Sequence, residues 1–193
     1  MAYCGAMSAV MSGDDSMLMV TVSGPPGSGT STLVSKISLS RGWNSMNGGD
    51  VFREEATRRG LTVEELSAKA KDDLDIDRRL DSMLQERMKS NNSPEIVESR
   101  LSGWWALKNN LECLRVWIAV SNDERARRIQ TREGGSMTQS LQKSKQRQSD
   151  DKGRYLELYE IDLDDLSPYN LVIDADDKDE DEVFAIVDSK LGR

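Results

Sequence analysis

The sequence predicts an α/β fold in which a parallel sheet is covered by helices on both faces. Short apolar runs alternate with segments of helical spacing along most of the chain. A glycine-rich stretch, Gly24-Pro25-Pro26-Gly27-Ser28-Gly29-Thr30-Ser31-Thr32, lies between the first apolar run and the first helical segment. The length, 193 residues, suits one such domain with small insertions.

The elements follow in order. Strand one covers about 17–23 and the helix after the glycine-rich stretch about 30–40, ending near Gly42. Trp43 to Met46 reads as a second strand, after which Gly48-Gly49 turns the chain into a helix capped by Asp50. Thr62 and Glu65 have the spacing of a capping box. Leu74, Ile76, Leu80, Met83, Leu84 and Met88 give mostly helical spacing over 73–89, so 50–89 is a helical insertion between strands. Pro94 to Ser99 is strand three, and Leu114 to Val120 is strand four and the clearest. A helix capped by Asn122 or Asp123 runs to about 132, and after Gly134-Gly135 a long polar helix covers about 137–160. Leu171 to Asp174 is strand five. The acidic run from Asp174 to Glu182 reads as a solvated loop leading into a last helix over 181–191, whose N-terminus favours negative charge.

Composition narrows the function classes. With 34 acidic and 26 basic residues the net charge is −8, which argues against a general binder of nucleic acid or membrane surfaces. There is no histidine, which removes histidine general-base chemistry and most zinc sites. Two cysteines, Cys4 and Cys113, suggest neither a disulfide framework nor a metal site. No apolar run approaches the ~20 residues that span a bilayer. Residues 1–16 lack the basic and apolar regions of a signal peptide and read as a loose N-terminal extension of a cytoplasmic enzyme, with 17–193 the single domain.

The glycine-rich stretch carries the chemistry. Its spacing is that of a phosphate-binding loop, G-x-x-x-x-G-K-[ST], in the required setting between strand and helix. Glycines let the backbone wrap closely and aim N–H groups inward, and the helix N-terminus favours an anion there. Ser31 stands where the loop's hydroxyl ligates Mg²⁺. One position departs from the pattern: Thr30 replaces the lysine that would reach the outer phosphates. Thr32 supports the phosphates from the helix start. Arg125, Arg128 and Arg132 fall at i, i+3 and i+7 on one helical face. Arg128 and Arg132 are the candidates for donor phosphates or adenine. Arg125 belongs either with them or in ion pairs with Asp123, Glu124 and Glu133. Glu98, at the end of strand three, is either a carboxylate holding Mg²⁺ through water or an ordinary strand-end acid paired with an arginine. Trp104 and Trp105 read as core or cleft wall ahead of base-stacking groups.

Six segments in this order resemble the archaeal-type cytidylate kinases of the nucleoside monophosphate kinase family: GPPGSGTST at the loop, GGDVFR at 48–53, DDLDIDRRLD at 72–81, VESRLSGW at 97–104, RARRIQTREG at 125–134 and YEIDLDDLSPYNLVID at 159–174. The resemblance runs in register from about residue 17 to 174. It implies a three-layer α/β/α P-loop kinase with a five-stranded parallel sheet in the order 2-3-1-4-5. A helical acceptor-binding insertion then spans about 48–90 and a lid about 134–160. It implies γ-phosphoryl transfer from ATP to CMP or dCMP with Mg²⁺, by a monomer.

By the same resemblance Arg53 grips the acceptor phosphate and Arg100 is an acceptor-binding arginine. Gly48 stands where relatives often carry Ser or Thr against the nucleotide. Leu101 follows Arg100 where bacterial relatives have aspartate, so the base contact falls to Asp77 or Arg78; Arg79 reads as a solvated helix charge. The spacing R-x-x-x-D-x-x-R matches lid groups of bacterial cytidylate kinases, which makes Arg147 and Arg154 phosphate-reaching arginines and Asp151 a sugar contact. Those two arginines would supply the charge Thr30 does not. Thr30 itself occurs in the archaeal branch and does not mark an inactive enzyme. The competing readings are another small-molecule kinase, such as an adenylate or shikimate kinase, and a non-catalytic nucleotide-binding module.

Overall fold

The computed structural model describes residues 17–70 and 73–192; the expected extension over 1–16 lies outside the described residues. Five short strands, β1 (Val20–Ser23), β2 (Ser45–Asn47), β3 (Ile96–Glu98), β4 (Leu114–Ala119) and β5 (Leu171–Asp174), form one sheet in the order β2-β3-β1-β4-β5. Every neighbouring pair is parallel, with Val20 opposite Ile96 on one side and Leu114 on the other. The order is the one implied by the family resemblance.

Alternation along the strands divides the core in two. Val20, Val22, Ile96, Val116, Ile118 and Ile173 face α1 (Thr30–Arg41) and α8 (Glu180–Lys190), burying Leu33, Ile37, Val183 and Val187. On the opposite face Val97 packs with Leu101, Trp105 and Ala106 of the α5 region (α5, Ser102–Lys108) and with Leu84 and Met88 of α4 (Leu74–Lys89). Two buried faces on one sheet make the three layers. A smaller cluster of Ala56, Leu66 and Ile76 joins α2 (Gly48–Arg58), α3 (Val63–Ala70) and α4 into the helical insertion. α6 (Asn122–Glu133) and the 23-residue α7 (Met137–Tyr159) complete the chain.

Several boundaries differ from the sequence reading, each for a local reason. α2 is capped by Asn47 and not Asp50: the Asn47 side chain accepts from the Asp50 N–H at 3.0 Å, and Asp50 answers from the third helical position at 2.9 Å. Gly48 and Gly49 are therefore the first helical turn, and the strand before them ends at Asn47 instead of Met46. Ser121, not Asn122 or Asp123, caps α6 by accepting from Glu124. The capping box of Thr62 and Glu65 is present. α5 was not anticipated, because its run of Trp104, Trp105, Ala106 and Leu107 is too short and too continuously apolar to show a period. Gly103 lies in α5 where a Cβ would come within 2.3 Å of the Tyr169 ring, so only glycine lets α5 approach there.

Candidate active site

The glycine-rich loop joins β1 to α1 at the carboxyl ends of the parallel strands, where an α/β sheet opens a crevice. A Cβ on Gly24 would meet Ser28 Oγ at 2.5 Å and the Ile118 carbonyl at 2.9 Å, so the turn closes only on glycine. Gly29 holds φ at +95° and is the N-cap of α1, with no side chain bonding to the first helical amides. Those amides remain available to an anion.

Three arginines hold the loop from outside through its carbonyl oxygens. Arg100 Nη1 donates to the Gly24 oxygen, Arg125 Nη1 to Pro26 at 3.4 Å, and Arg128 Nη1 to Ser28 at 3.1 Å. These contacts set three guanidinium groups around a segment that lacks its lysine. Arg125 is 1 % exposed. Its acceptors among the described residues are neutral: Pro26, the Asn122 side-chain oxygen and Gln148 Oε1 at 2.6 Å. Among the described residues the expected ion pairs with Asp123 and Glu124 do not form; the Glu133 side chain lies outside the described residues. Burial, with Arg100 nearby, lowers its pKa. Arg128 is fixed further by Glu124 at 2.7 Å and the Ala175 carbonyl at 2.5 Å.

Ser31 Oγ donates to Glu98 Oε1 at 2.9 Å across the gap between α1 and β3. Among the described residues no three His, Cys, Asp or Glu side chains converge as a metal cage. The Ser31–Glu98 pair is thus a sparse, hard-oxygen donor set. It fits Mg²⁺, which keeps waters and takes phosphate oxygens as its other ligands, and does not fit a cation that needs an all-protein cage.

From the loop a cleft of about 1320 Å³ extends between the helical insertion and α7. Such a volume exceeds the usual single-ligand pocket of about 300–1,000 Å³ and suits two. Gly48, Arg53, Asp77, Glu98, Arg100, Arg132, Asp151 and Arg154 all line it. The sequence separation from Gly24 to Arg154 is thereby brought to one place.

Arg53, Arg100 and Arg154 of the cleft are held by carboxylates. Arg53 pairs with Asp50 at 2.5 Å and is largely exposed. Asp151 is buried between Arg100, at 3.1 Å, and Arg154, at 2.9 Å. Arg154 Nε also lies 3.6 Å from Asp77 Oδ2, and its guanidinium stacks 5.1 Å from the Tyr155 ring centre. Burial raises the Asp77 pKa against the lowering effect of Arg154. Behind Asp77, Asp81 accepts from the Tyr159 hydroxyl at 2.7 Å, and burial pushes its carboxyl up to about 6.

Not every expected residue arrives there. Arg78 is exposed on α4, pairs with Asp75 at 2.7 Å and does not line the cleft, whereas Asp77, the other base-contact candidate, does. Arg79 is not a free solvated charge: it joins Arg58 and Arg59 on the buried Glu55. Ser28 turns inward and is buried. Arg128 faces a second cavity of about 660 Å³, between α6 and the loop before α8, which Thr32 and Arg132 also line. Arg147 lies on α7, and its side chain is outside the described residues. Trp105 is buried edge-on against Tyr159, with ring centres 4.9 Å apart, and forms core instead of a stacking platform.

Asp81, Tyr155 and Tyr159 were missed. Their signal was present: Asp77 and Asp81, and Tyr155 and Tyr159, are each spaced i, i+4 on one helix face.

Loop, sheet order and cleft define the class: a P-loop kinase. Comparison with known proteins agrees. The AAA domain family model matches residues 23–154. The solved shikimate kinase from Bacteroides thetaiotaomicron superposes with a TM-score of 0.61 at 16% identity, covering 92% of this chain and 100% of that one. A gluconokinase from Sinorhizobium meliloti gives 0.57 at 18% identity, over 91% and 92%. At those identities the likeness speaks for the fold. The chain is 37% identical to the cytidylate kinase of Archaeoglobus fulgidus over 88% of its own length and 92% of the relative's. It is also 37% identical to that of Methanocaldococcus jannaschii, over 90% and 97%. The chain belongs to the cytidylate kinase family.

Proposed function

We propose that this chain transfers the γ-phosphoryl group of ATP to CMP or dCMP, giving ADP and the pyrimidine diphosphate. The observation that carries the reading is a single cleft in which an anion-binding loop, a Ser–Glu pair suited to Mg²⁺ and the arginines Arg53, Arg100 and Arg154 face one another.

The donor triphosphate lies along Gly24 to Thr32, with the loop amides and the α1 N-terminus on its oxygens. Its adenine enters the smaller cavity beside Arg128, and Arg132, which lines both cavities, spans base and phosphates. Ser31 and Glu98, the latter through water, would hold Mg²⁺, which neutralises charge on the outer phosphates when bound. The insertion over about 48–90 receives the acceptor: Arg53 and Arg100 take its phosphate, Gly48 leaves room beside it, Asp77 faces its base and Asp151 its sugar.

An acceptor phosphate oxygen attacks the γ-phosphorus as the bond to the bridging oxygen breaks. The chain's part is position and charge, since this transfer needs little covalent help. Asp50, Asp77 and Asp151 hold the cleft arginines until nucleotide phosphates compete for them. Closure of a lid over about 134–160 brings Arg147 and Arg154 onto the transferring group and excludes water that would hydrolyse ATP. These lid arginines supply charge that Thr30 cannot. Among the described residues no helix is long and apolar enough to cross a membrane. The reading takes the chain to act as a cytoplasmic monomer, its net charge of −8 turning it from nucleic acid.

The test is an ADP-release assay with Mg·ATP and CMP, dCMP, UMP, AMP or GMP. Turnover with CMP and dCMP well above the rest is expected. Preference for AMP, or for shikimate added to the panel, would replace the acceptor assignment. ATP binding without acceptor-dependent ADP release would make the chain a nucleotide-binding module.

A further inference from the structure

Asp81 has no place in the chemistry described so far, yet it lines the cleft. It sits on α4 one turn beyond Asp77, with Leu80 beside it and Leu84 following, and Val51 and Phe52 of α2 line the same cleft. This end of the cleft is therefore a largely apolar slot with two carboxylates in it. The two differ. Asp77 stands 3.6 Å from the Arg154 guanidinium, whereas Asp81 has no ion pair among the described residues. Asp81 is instead held from behind. The Tyr159 hydroxyl donates to Oδ2 at 2.7 Å, and Tyr159 is itself fixed edge-on by Trp105. The Trp105 indole N–H lies beside the carboxyl without completing a hydrogen bond. No hydrogen bond among the described residues engages Oδ1, which leaves an oriented acceptor on a side chain that lines the cleft.

An acceptor in an apolar slot discriminates among flat heterocycles. Cytosine carries an exocyclic amine, a donor that pairs well with a carboxylate, where uracil carries a carbonyl oxygen, an acceptor. A carboxylate set against the position of the exocyclic group disfavours uracil there, because its O4 cannot donate and two acceptors are then buried facing each other. We infer that Asp81, oriented by Tyr159, is the residue that reads the exocyclic amine of the acceptor pyrimidine and so selects CMP over UMP. This rests on the proposed function, since it assigns specificity within that reaction.

The experiment compares kcat/KM for CMP and for UMP in the unaltered chain, Asp81→Asn and Tyr159→Phe, with melting temperatures measured alongside. An amide can donate as well as accept, so Asp81→Asn is expected to lower the CMP-to-UMP ratio by about 10-fold or more. Tyr159→Phe keeps the carboxylate and loses its orienting donor, and is expected to lower the same ratio by less. That second variant also carries the test if Asp81→Asn does not fold. A purely structural Asp81 would slow both acceptors equally; an unchanged ratio in the folded variants overturns the inference and leaves the kinase reading standing. Absence of turnover with either pyrimidine in the unaltered chain refutes the proposed function, and this assignment with it.

Discussion

Glu55 is 0 % exposed by side chain, yet it carries a charge shared among three arginines, with Arg58 at 2.7 Å, Arg59 at 2.6 Å and Arg79 at 3.1 Å. The Arg58 hydrogen bond, aided by Arg59 and opposed by burial, holds its carboxyl down to about 2. A carboxyl depressed on folding stabilises the fold fully above its unfolded value of about 4.3, and that stability is lost as pH falls toward 2. Glu55→Gln is therefore expected to melt lower than the unaltered chain at neutral pH, by about 2 kcal/mol for the charged bonds removed. The gap should close as the pH falls below about 4; thermal melts across pH check it, and a gap independent of pH would contradict it. At the same scale, Arg154→Ala is expected to cost on the order of 10³-fold in kcat with the fold intact. A rate near that of the unaltered chain would remove Arg154 from the transfer site. The loop itself was legible from spacing alone, because its chemistry is local. The partners of its arginines were not: Arg100 meets Asp151 and the Gly24 carbonyl across 51 and 76 residues, and a single sequence carries no sign of such pairings.

Among the elements, α2 positions the acceptor end of the cleft, and its cap decides where it begins. Asn47→Ala removes one half of the capping box and is expected to cost about 1 kcal/mol. It should also raise the KM for CMP, since Asp50, which holds Arg53, is the other half of that box. A stability loss with no change in acceptor KM would separate the cap from the site. The strands and the long helices were legible because their periods or apolar runs exceed one turn. The cap was misplaced by three residues because Asn47, Gly48, Gly49 and Asp50 all suit a helix start. Only the reciprocal hydrogen bonds choose between Asn47 and Asp50. α5 stayed hidden for the opposite reason, as seven apolar-rich residues carry no distinguishable period. The face shared by α4 and α7 was readable in the paired spacings of Asp77 with Asp81 and Tyr155 with Tyr159. That the two faces meet depends on tertiary packing.

For the whole molecule, the sheet fixes the loop while the insertion and α7 stand across the cleft from each other, joined by Arg154–Asp77 and Tyr159–Asp81. If both nucleotides bind there, each adds stability by mass action, about 2.7 kcal/mol at one hundred times its dissociation constant. Mg·ADP and CMP together are expected to raise the melting temperature more than either alone and to protect α7 from proteolysis. Equal cleavage of α7 with and without both ligands would argue against closure.

The most direct test of phosphoryl transfer is to follow the γ-phosphate itself. With γ-labelled ATP, CMP and Mg²⁺, the expected result is label in CDP in equal amount to the ADP formed. Label released as inorganic phosphate, or retained in ATP whatever pyrimidine monophosphate is present, would contradict the assignment of this cleft as a site of transfer to CMP.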